Sequence, residues 1–225
     1  MAGRYDRNMP AISPEQQKSL RIKRVLVAGC GGLGGYIIEH LARVGVGRLT
    51  AVDGDVFTVS NLNRQLLSTT RTLGAPKARS ARERAGLVNP EVAVTAIDEY
   101  LTADNADAIV RGHDVIVDAL DSGGARLLLA GAASRAGVPL VSGAIAGWRG
   151  RVFVVMPGDD ASFLWSGGAD PAAFGNLPFT AAVAASIEAA EAVKLLLGIP
   201  GILTGRMIEF DLEAGRWDEI GIDLS

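Results

Sequence analysis

Four closely spaced glycines are the first feature of the sequence that indicates a chemical role. Gly29, Gly31, Gly32 and Gly34 fit the pattern G-x-G-x-x-G between an apolar run and a segment of helical periodicity. Glycines let the backbone approach a phosphate closely, and the amides and partial positive charge of the following helix N-terminus attract anions. Asp53 follows at about the twenty-residue spacing expected for the acidic residue that holds ribose hydroxyls. This pattern predicts an adenine nucleotide site.

Two cations and one acidic residue decide which nucleotide chemistry the sequence favours. Arg64 and Lys77 suit a displacement at a triphosphate, because an arginine fork and a lysine point charge can stabilise a leaving pyrophosphate. Asp121 follows the fourth predicted strand and could hold Mg²⁺, which prefers oxygen ligands and phosphates. Hydride transfer needs no such pair of cations, so ATP is favoured over NAD. Taken singly, each residue has a structural alternative: a solvated surface charge for either cation, and a helix cap before Ser122 for Asp121.

Alternating apolar strands and amphipathic helices must position these residues. The periodicity predicts strands at 23–28, 48–53, 92–97, 114–119 and 138–142, and helices at 33–44, 77–88, 103–111 and 125–136. This rhythm is typical of an α/β fold with a Rossmann-like, doubly wound, mostly parallel sheet. Such sheets bind ligands at the carboxyl ends of their strands, where we expect the glycines, Asp53 and Asp121 to meet.

The strand and helix rhythm changes after Gly143. Residues 151–156 predict one more strand, 158–178 a long surface loop that could cover a site, 179–197 an apolar helix, and 206–212 with 216–220 a hairpin. We therefore expect a core at 23–143 and a C-terminal antiparallel extension at 144–225. A single domain over 1–225 is the simplest organisation for this length.

Charge and composition exclude several classes of function. The net charge of −3 provides no basic footprint for nucleic acid or an anionic membrane surface. No apolar run approaches the roughly 20 residues of a membrane span, and residues 1–17 lack the apolar core of a signal peptide, so we expect a cytoplasmic protein. Cys30 is the only cysteine, which rules out a four-cysteine zinc site within the chain, and no zinc is expected. We assign Cys30 to packing and give neither histidine, His40 or His113, a role.

Seven motifs in order resemble those of the ThiF/MoeB/HesA family, to which ubiquitin-activating enzymes are also similar. They are Arg4-Tyr5-Asp6-Arg7, the aspartates of 53–55, Ser60 to Gln65, Gly74 to Lys77, Asn89-Pro90, Asp121 with Arg126, and Ser142-Gly143 with Gly150. Asn8 and Ser122 depart from the family pattern, which has Gln and Asn at these places. The two cysteine pairs that hold zinc in many relatives are absent, as is the acyl-accepting cysteine of the crossover loop.

The resemblance implies an ATP-dependent adenylyltransferase. A carboxylate, commonly the C-terminal Gly-Gly of a small ubiquitin-like sulfur-carrier protein, would attack the α-phosphate of ATP·Mg²⁺ and displace pyrophosphate. Arg64, Lys77 and Asp121 would act on the phosphates, with Asp55 and Asn61 as further nucleotide contacts. Arg7 would reach the phosphates of the neighbouring subunit in a homodimer. An NAD-dependent oxidoreductase and a non-catalytic nucleotide-binding protein remain as alternatives.

Overall fold

The computed structural model describes residues 3–165 and 174–224 of the chain. The helices are α1 (Pro14–Leu20), α2 (Gly34–Val44), α3 (Lys77–Val88), α4 (Ala106–Val110), α5 (Gly123–Ala136) and α6 (Pro178–Leu197). The strands are β1 (Arg24–Ala28), β2 (Arg48–Val52), β3 (Ala93–Ile97), β4 (Val115–Asp118), β5 (Leu140–Ala146), β6 (Arg149–Val155), β7 (Arg206–Asp211) and β8 (Arg216–Gly221). Short 3₁₀ turns lie at Asp6–Asn8, Val59–Asn61 and Ser162–Leu164.

The described strands form one sheet in the order β3-β2-β1-β4-β5-β6-β7-β8. From β3 to β5 every pairing is parallel, and from β5 to β8 every pairing is antiparallel. The predicted α/β fold, with its mostly parallel sheet and antiparallel C-terminal extension, is therefore confirmed. Because β5 pairs with β4 on one side and β6 on the other, it belongs to both halves of the sheet.

Helices cover both faces of the sheet, as a doubly wound fold requires. One apolar cluster joins the sheet to α2, α3 and α6 through residues such as Ile37, Ala81 and Ala185. A second cluster on the opposite face joins it to α4 and α5 through Val110 and Leu129. Parallel strands buried on both faces are near-continuous apolar runs, which is the pattern of β1 and β4.

Several element boundaries differ from the prediction for local reasons. Strand β5 continues to Ala146 rather than ending at Ser142, because it pairs with β6 over its whole length. Helix α4 begins at Ala106 rather than near residue 103, since the Asn105 side chain accepts a hydrogen bond from the Thr102 amide and closes a turn before the helix. The predicted loop 158–178 includes residues 166–173, which lie outside the described residues.

The amino-terminal segment packs at the end of α2 that lies farthest from the glycine-rich turn. The buried hydroxyl of Tyr5 accepts a hydrogen bond from Asn89 Nδ2 at 2.8 Å, and its ring closes over Gly45, which follows α2. Helix α1 then begins with a capping box between Ser13 and Gln16.

Within the described ranges, no helix is long and apolar enough to cross a membrane. The cytoplasmic location and the single-domain organisation stay predictions.

Candidate active site

The glycine-rich turn joins β1 to α2 and depends on glycine at two positions. Gly29 has a φ of +92°, and a Cβ there would lie 2.5 Å from the Ala119 carbonyl oxygen, so a side chain is excluded both by conformation and by space. A Cβ at Gly34 would collide with the Gly29 carbonyl. Gly31 and Gly32, together with Gly29, line a cavity, whereas Gly34 packs beneath it.

Asp53 ties the end of β2 to this turn. Its Oδ2 accepts the Cys30 amide at 2.7 Å, and its Oδ1 accepts the Asp55 amide at 2.8 Å. Burial raises the pKa of Asp53 above its usual value, although the two amides act in the opposite direction. Asp53 therefore holds the turn in place while it also lines the cavity, where ribose hydroxyls could reach the remaining lone pairs of its carboxylate.

Lys77 is fixed at the cavity wall by Asp55. The ammonium of this buried lysine lies 2.8 Å from Asp55 Oδ2, and the Tyr100 hydroxyl donates to Asp55 Oδ1 at 2.5 Å. The hydrogen bonds from Lys77 and Tyr100 hold the pKa of Asp55 below its usual value. All three side chains line the cavity, so the ammonium group of Lys77 could bind an anionic ligand there.

The segment after β2 carries Arg64 and Gln65 into the cavity. Arg64 lies over Gly32 and donates to the Ser60 carbonyl and the Asn63 side chain, at 3.1 and 2.9 Å. Gln65 lies against Gly31, and its buried Oε1 has no hydrogen-bond partner among the described residues.

Asn61 contributes to this segment from outside the cavity. Its Oδ1 accepts the Thr58 amide at 3.0 Å, and its carbonyl accepts the amides of Arg64 and Gln65. Asn61 is buried and is not among the residues that line the cavity, and its contacts support the backbone that carries Arg64.

Asp121 is exposed at the cavity edge, beyond the end of β4. Ser122, not Asp121, caps α5, because its Oγ accepts the Ala125 amide. The Asp121 carboxylate makes no hydrogen bond or ion pair within the described part of the chain and is therefore available to a ligand. The described part of the chain contains no cluster of three or more histidine, cysteine or acidic side chains that could hold a metal ion by itself.

Arg126 holds the segment that presents Asp121. Its guanidinium donates to the carbonyls of Leu120 and Gly143, the latter at 2.9 Å, and lies 3.4 Å from Asp118 Oδ2. These contacts connect the residue before Asp121 to β4 and β5. The side chain is only 11% exposed, and these contacts give Arg126 a positioning role although it also lines the cavity.

These elements enclose a cavity of about 700 Å³, a volume in the range of small-molecule and cofactor sites. Of the residues predicted from sequence to contact the nucleotide, the cavity brings together Gly29, Gly31, Gly32, Asp53, Asp55, Arg64, Lys77 and Asp121. The cavity continues over the antiparallel half of the sheet, where sequence reasoning identified no site residue. There it is lined by Ala144, Ala146, Arg149, Arg151, Leu164, Trp165 and Glu209.

Three further residues considered in the sequence lie away from the cavity. Arg7 is exposed in the amino-terminal 3₁₀ turn, and its side chain makes no hydrogen bond or ion pair with the described residues. His40 contacts Ser186 on the outer surface, and His113 lies between Thr50 and the Val110 carbonyl.

Cys30 is buried inside the glycine-rich turn, and burial raises the pKa of its thiol well above the usual value. A thiol that resists ionisation is a poor nucleophile, which agrees with the packing role given to it from sequence.

Comparison with known proteins gives a consistent result. The ThiF family matches residues 5–224 of the chain. The chain is 40% identical over 230 aligned positions to the sulfur carrier protein adenylyltransferase of Thermus thermophilus, covering 94% of this chain and 84% of that protein. It is 34% identical to the molybdopterin-synthase adenylyltransferase of Escherichia coli, covering 96% of this chain and 91% of that protein. A crystal structure of E. coli MccB with ATP superposes with a TM-score of 0.86 at 19% identity, covering 100% of this chain and 72% of that one, a similarity of fold.

Proposed function

The chain belongs to the ThiF family, as its motifs predict, and we propose that it uses ATP to adenylate a carboxylate. One carboxylate oxygen would attack the α-phosphorus of ATP. The bond from that phosphorus to the oxygen bridging the β-phosphate would break, and pyrophosphate would leave with the electron pair. The products are an acyl-adenylate and pyrophosphate.

The observation that carries this proposal is the convergence of Arg64, Lys77 and Asp121 on one cavity beside the glycine-rich turn. The turn offers backbone amides close to a phosphate, and the two cations can stabilise negative charge that develops on the leaving group. Hydride transfer itself does not require such a pair of cations. The geometry therefore favours phosphoryl chemistry over hydride transfer.

No general base is needed for this reaction. A carboxyl group with an ordinary pKa of about 4 is already ionised at neutral pH and is ready to attack. The positions of both histidines outside the cavity agree with this chemistry. Rate acceleration would come from positioning the two reactants and from charge stabilisation.

Asp121 fits the role of a magnesium ligand. Mg²⁺ commonly binds through one or two carboxylates together with substrate phosphates, and Asp121 supplies an exposed carboxylate without a competing partner among the described residues. When bound, Mg²⁺ would neutralise charge on the phosphates. Arg126 would keep Asp121 in place through its hydrogen bond to the Leu120 carbonyl.

A small ubiquitin-like sulfur-carrier protein with a C-terminal Gly-Gly is the proposed substrate. The two adenylyltransferases compared above are named for a sulfur carrier and for molybdopterin synthase. Beside the cavity, an exposed aromatic rim supports a protein substrate: the rings of Trp148 and Phe179 contact each other in a tilted arrangement with centroids 4.8 Å apart, and Phe174 is 60% exposed. Exposed aromatic side chains of this kind commonly mark protein interaction sites.

Arg7 would enter the site of a partner subunit in a homodimer. Helix α2 starts at the glycine-rich turn and ends beside Tyr5, and its 11 residues separate these points by about 16 Å. Arg7 therefore lies at the wrong end of α2 to reach its own cavity. A second copy of the chain would have to supply the arginine.

ATP–pyrophosphate exchange in the presence of Gly-Gly-terminated carrier proteins tests the proposed activity. We expect exchange that depends on the carrier, and its abolition by Asp121→Ala. Asp104→Ala is the matched control, because Asp104 is also exposed but lies outside the cavity. Exchange that survives in Asp121→Ala would contradict the assigned role.

Calorimetric titration with NADH and with ATP·Mg²⁺ separates the alternatives. Tight NADH binding without ATP binding would favour an NAD-dependent oxidoreductase. ATP binding without exchange for any carrier would favour a non-catalytic nucleotide-binding protein.

The absence of zinc and the cytoplasmic location remain predictions of the same proposal. Metal analysis of the purified protein and fractionation of cells would test them.

A further inference from the structure

The part of the cavity that extends over β6 and β7 carries arginines that the adenylation chemistry does not use. Arg149 and Arg151 are two residues apart on β6 and so point to the same face of the sheet. Opposite them on β5 lie Ala146 and Ala144, whose small side chains leave the strand surface open. This surface, defined by Arg149, Arg151, Ala144 and Ala146, is called the β6 wall below.

Within the described residues, each guanidinium group is held by one hydrogen bond and keeps further donors unpaired. Arg151 Nη2 donates to the Leu164 carbonyl at 2.6 Å, and Arg149 Nε donates to Asp211 Oδ2 at 2.9 Å. Their remaining N–H groups have no hydrogen-bond partner within the described ranges. A guanidinium has five donors arranged as a fork that matches a carboxylate, so each arginine could bind a further acidic ligand.

Two carboxylates, those of Asp211 and Glu209, face the arginines of the β6 wall from β7. Arg149 and the more distant Arg216 share one carboxylate, that of Asp211, at 2.9 and 3.8 Å. Glu209 is the strand neighbour of Arg151, but among the described residues the two side chains form no ion pair within 4 Å. Burial lowers the pKa of Arg151 and the nearby Arg126 adds to this effect, while Glu209 acts in the opposite direction. A bound acidic group would stabilise the charged form of the guanidinium.

The β6 wall lies where the tail of the acyl substrate, rather than the nucleotide, would bind. Strand β6 is two strands away from β4, which leads to Asp121. Two strand spacings are about 10 Å, and an extended chain advances about 3.3 Å per residue. A peptide whose terminal carboxylate lies near Asp121 would therefore pass the β6 wall roughly three residues upstream.

We propose that Arg149 and Arg151 bind an acidic side chain in the C-terminal tail of the acyl substrate, at roughly the third to fifth residue from its end. This inference rests on the proposed function and narrows its substrate class to carboxylate donors with an acidic tail. Arg151, the less exposed of the two, would make the principal contact.

Binding of short labelled peptides tests this preference without depending on turnover. Fluorescein-labelled peptides ending in Gly-Gly would carry a single glutamate at the third, fourth or fifth position from the end, with glutamine at that position as the control. Fluorescence anisotropy would be measured with a non-hydrolysable ATP analogue and Mg²⁺ present. We expect at least one glutamate peptide to bind about 10-fold more tightly than its glutamine counterpart, the effect of one charge-assisted pair.

Substitutions of Arg149 and Arg151 test whether these side chains cause the preference for glutamate over glutamine peptides. Arg151→Gln and Arg149→Gln should each reduce it, and Arg151→Glu should reverse it in favour of a lysine peptide. Arg149 is 71% exposed, so its variants report on the proposal even if Arg151 variants fold poorly. Arg216→Gln is the matched control, because Arg216 contacts Asp211 from outside the cavity and its replacement should leave the preference intact.

Three outcomes would overturn the inference: equal affinity for glutamate and glutamine peptides, no measurable binding of any peptide, or equal weakening of both peptides by Arg151→Gln. The last would mean that Arg151 binds the terminal carboxylate instead. Exchange with a full-length carrier is measured separately, so retained exchange without an acidic preference would refute this inference alone.

Discussion

Mixing two inactive variants offers a quantitative test of the role proposed for Arg7. Arg7→Ala removes the residue that would act on the partner's site, and Arg64→Ala removes a residue of the chain's own cavity. About 16 Å of helix α2 separates the Arg7 region from the glycine-rich turn, so one subunit cannot supply both groups to one site. In a dimer of one Arg7→Ala and one Arg64→Ala subunit, one site therefore has both arginines and the other has neither.

The expected recovery follows from random pairing of the two subunits. Half of the dimers in an equimolar mixture would be mixed, and half of their sites would be intact, giving about one quarter of wild-type activity. The assay is ATP–pyrophosphate exchange after the subunits have been denatured and refolded together, with each variant alone as the baseline. Activity no higher than that of the separate variants would refute action between subunits. So would a protein that stays monomeric at the assay concentration while retaining wild-type exchange.

Three further predictions concern residues that hold the site together. Gly34→Ala should destabilise the protein by about 2 kcal/mol and weaken ATP binding, because the added methyl group collides with the glycine-rich turn; urea unfolding and calorimetry measure both. Arg126→Lys should lower exchange about 10-fold with little loss of fold, since a lysine cannot hold the Leu120 carbonyl and the neighbouring strand together. Glu188→Gln should stabilise the protein at about pH 8 and progressively less towards pH 5, as followed by urea unfolding.

The sign of the Glu188 effect comes from its surroundings. The carboxyl group is fully buried against Gly143, and burial with the nearby Asp118 raises its pKa well above the usual value. The folded protein then binds a proton that the unfolded chain has released, so stability falls as pH rises above the ordinary glutamate pKa. An unchanged pH dependence in Glu188→Gln would contradict this explanation.

The other two predictions have their own controls. Gly86→Ala also adds a methyl group to a helical glycine, but with no atom within 4 Å of it, so it should stabilise α3 by about 0.5–1 kcal/mol. Equal destabilisation by both glycine variants would remove the steric explanation. If Arg126→Lys loses exchange only in proportion to loss of folded protein, its positioning role is wrong.

The sequence predicted the fold correctly, and it predicted which residues line one half of the cavity, because both depend on local patterns. Apolar runs marked β1 and β4, and the glycines and Asp53 had a spacing with a known physical purpose. The ends of elements were harder to predict where pairing or a side chain decides them. Strand β5 reaches Ala146 only because β6 returns beside it, and the Ala- and Gly-rich segment has no strong periodicity of its own.

The remaining site residues depend on contacts between elements far apart in the chain. Arg126 matched a family motif, but its link between the Leu120 and Gly143 carbonyls appears only when β4, β5 and α5 are packed together. Asn61 was expected at the nucleotide, whereas the structure places its side chain in a turn, since a polar residue near a site can serve the backbone equally well. Arg149 and Arg151 had no local signal that distinguished them from surface charges.

Strand β5 separates two parts of the cavity in which a substitution would have different effects. On its β4 side, changes would disturb the backbone amides of the glycine-rich turn, two cations and Asp121, the arrangement proposed to serve the adenylation reaction. On its β6 side, side chains project from a regular strand, and exchanging them alters charge and size without moving the backbone. A descendant of this protein could thus acquire a new carrier by a few replacements on a single strand, while it inherits the activation chemistry unchanged.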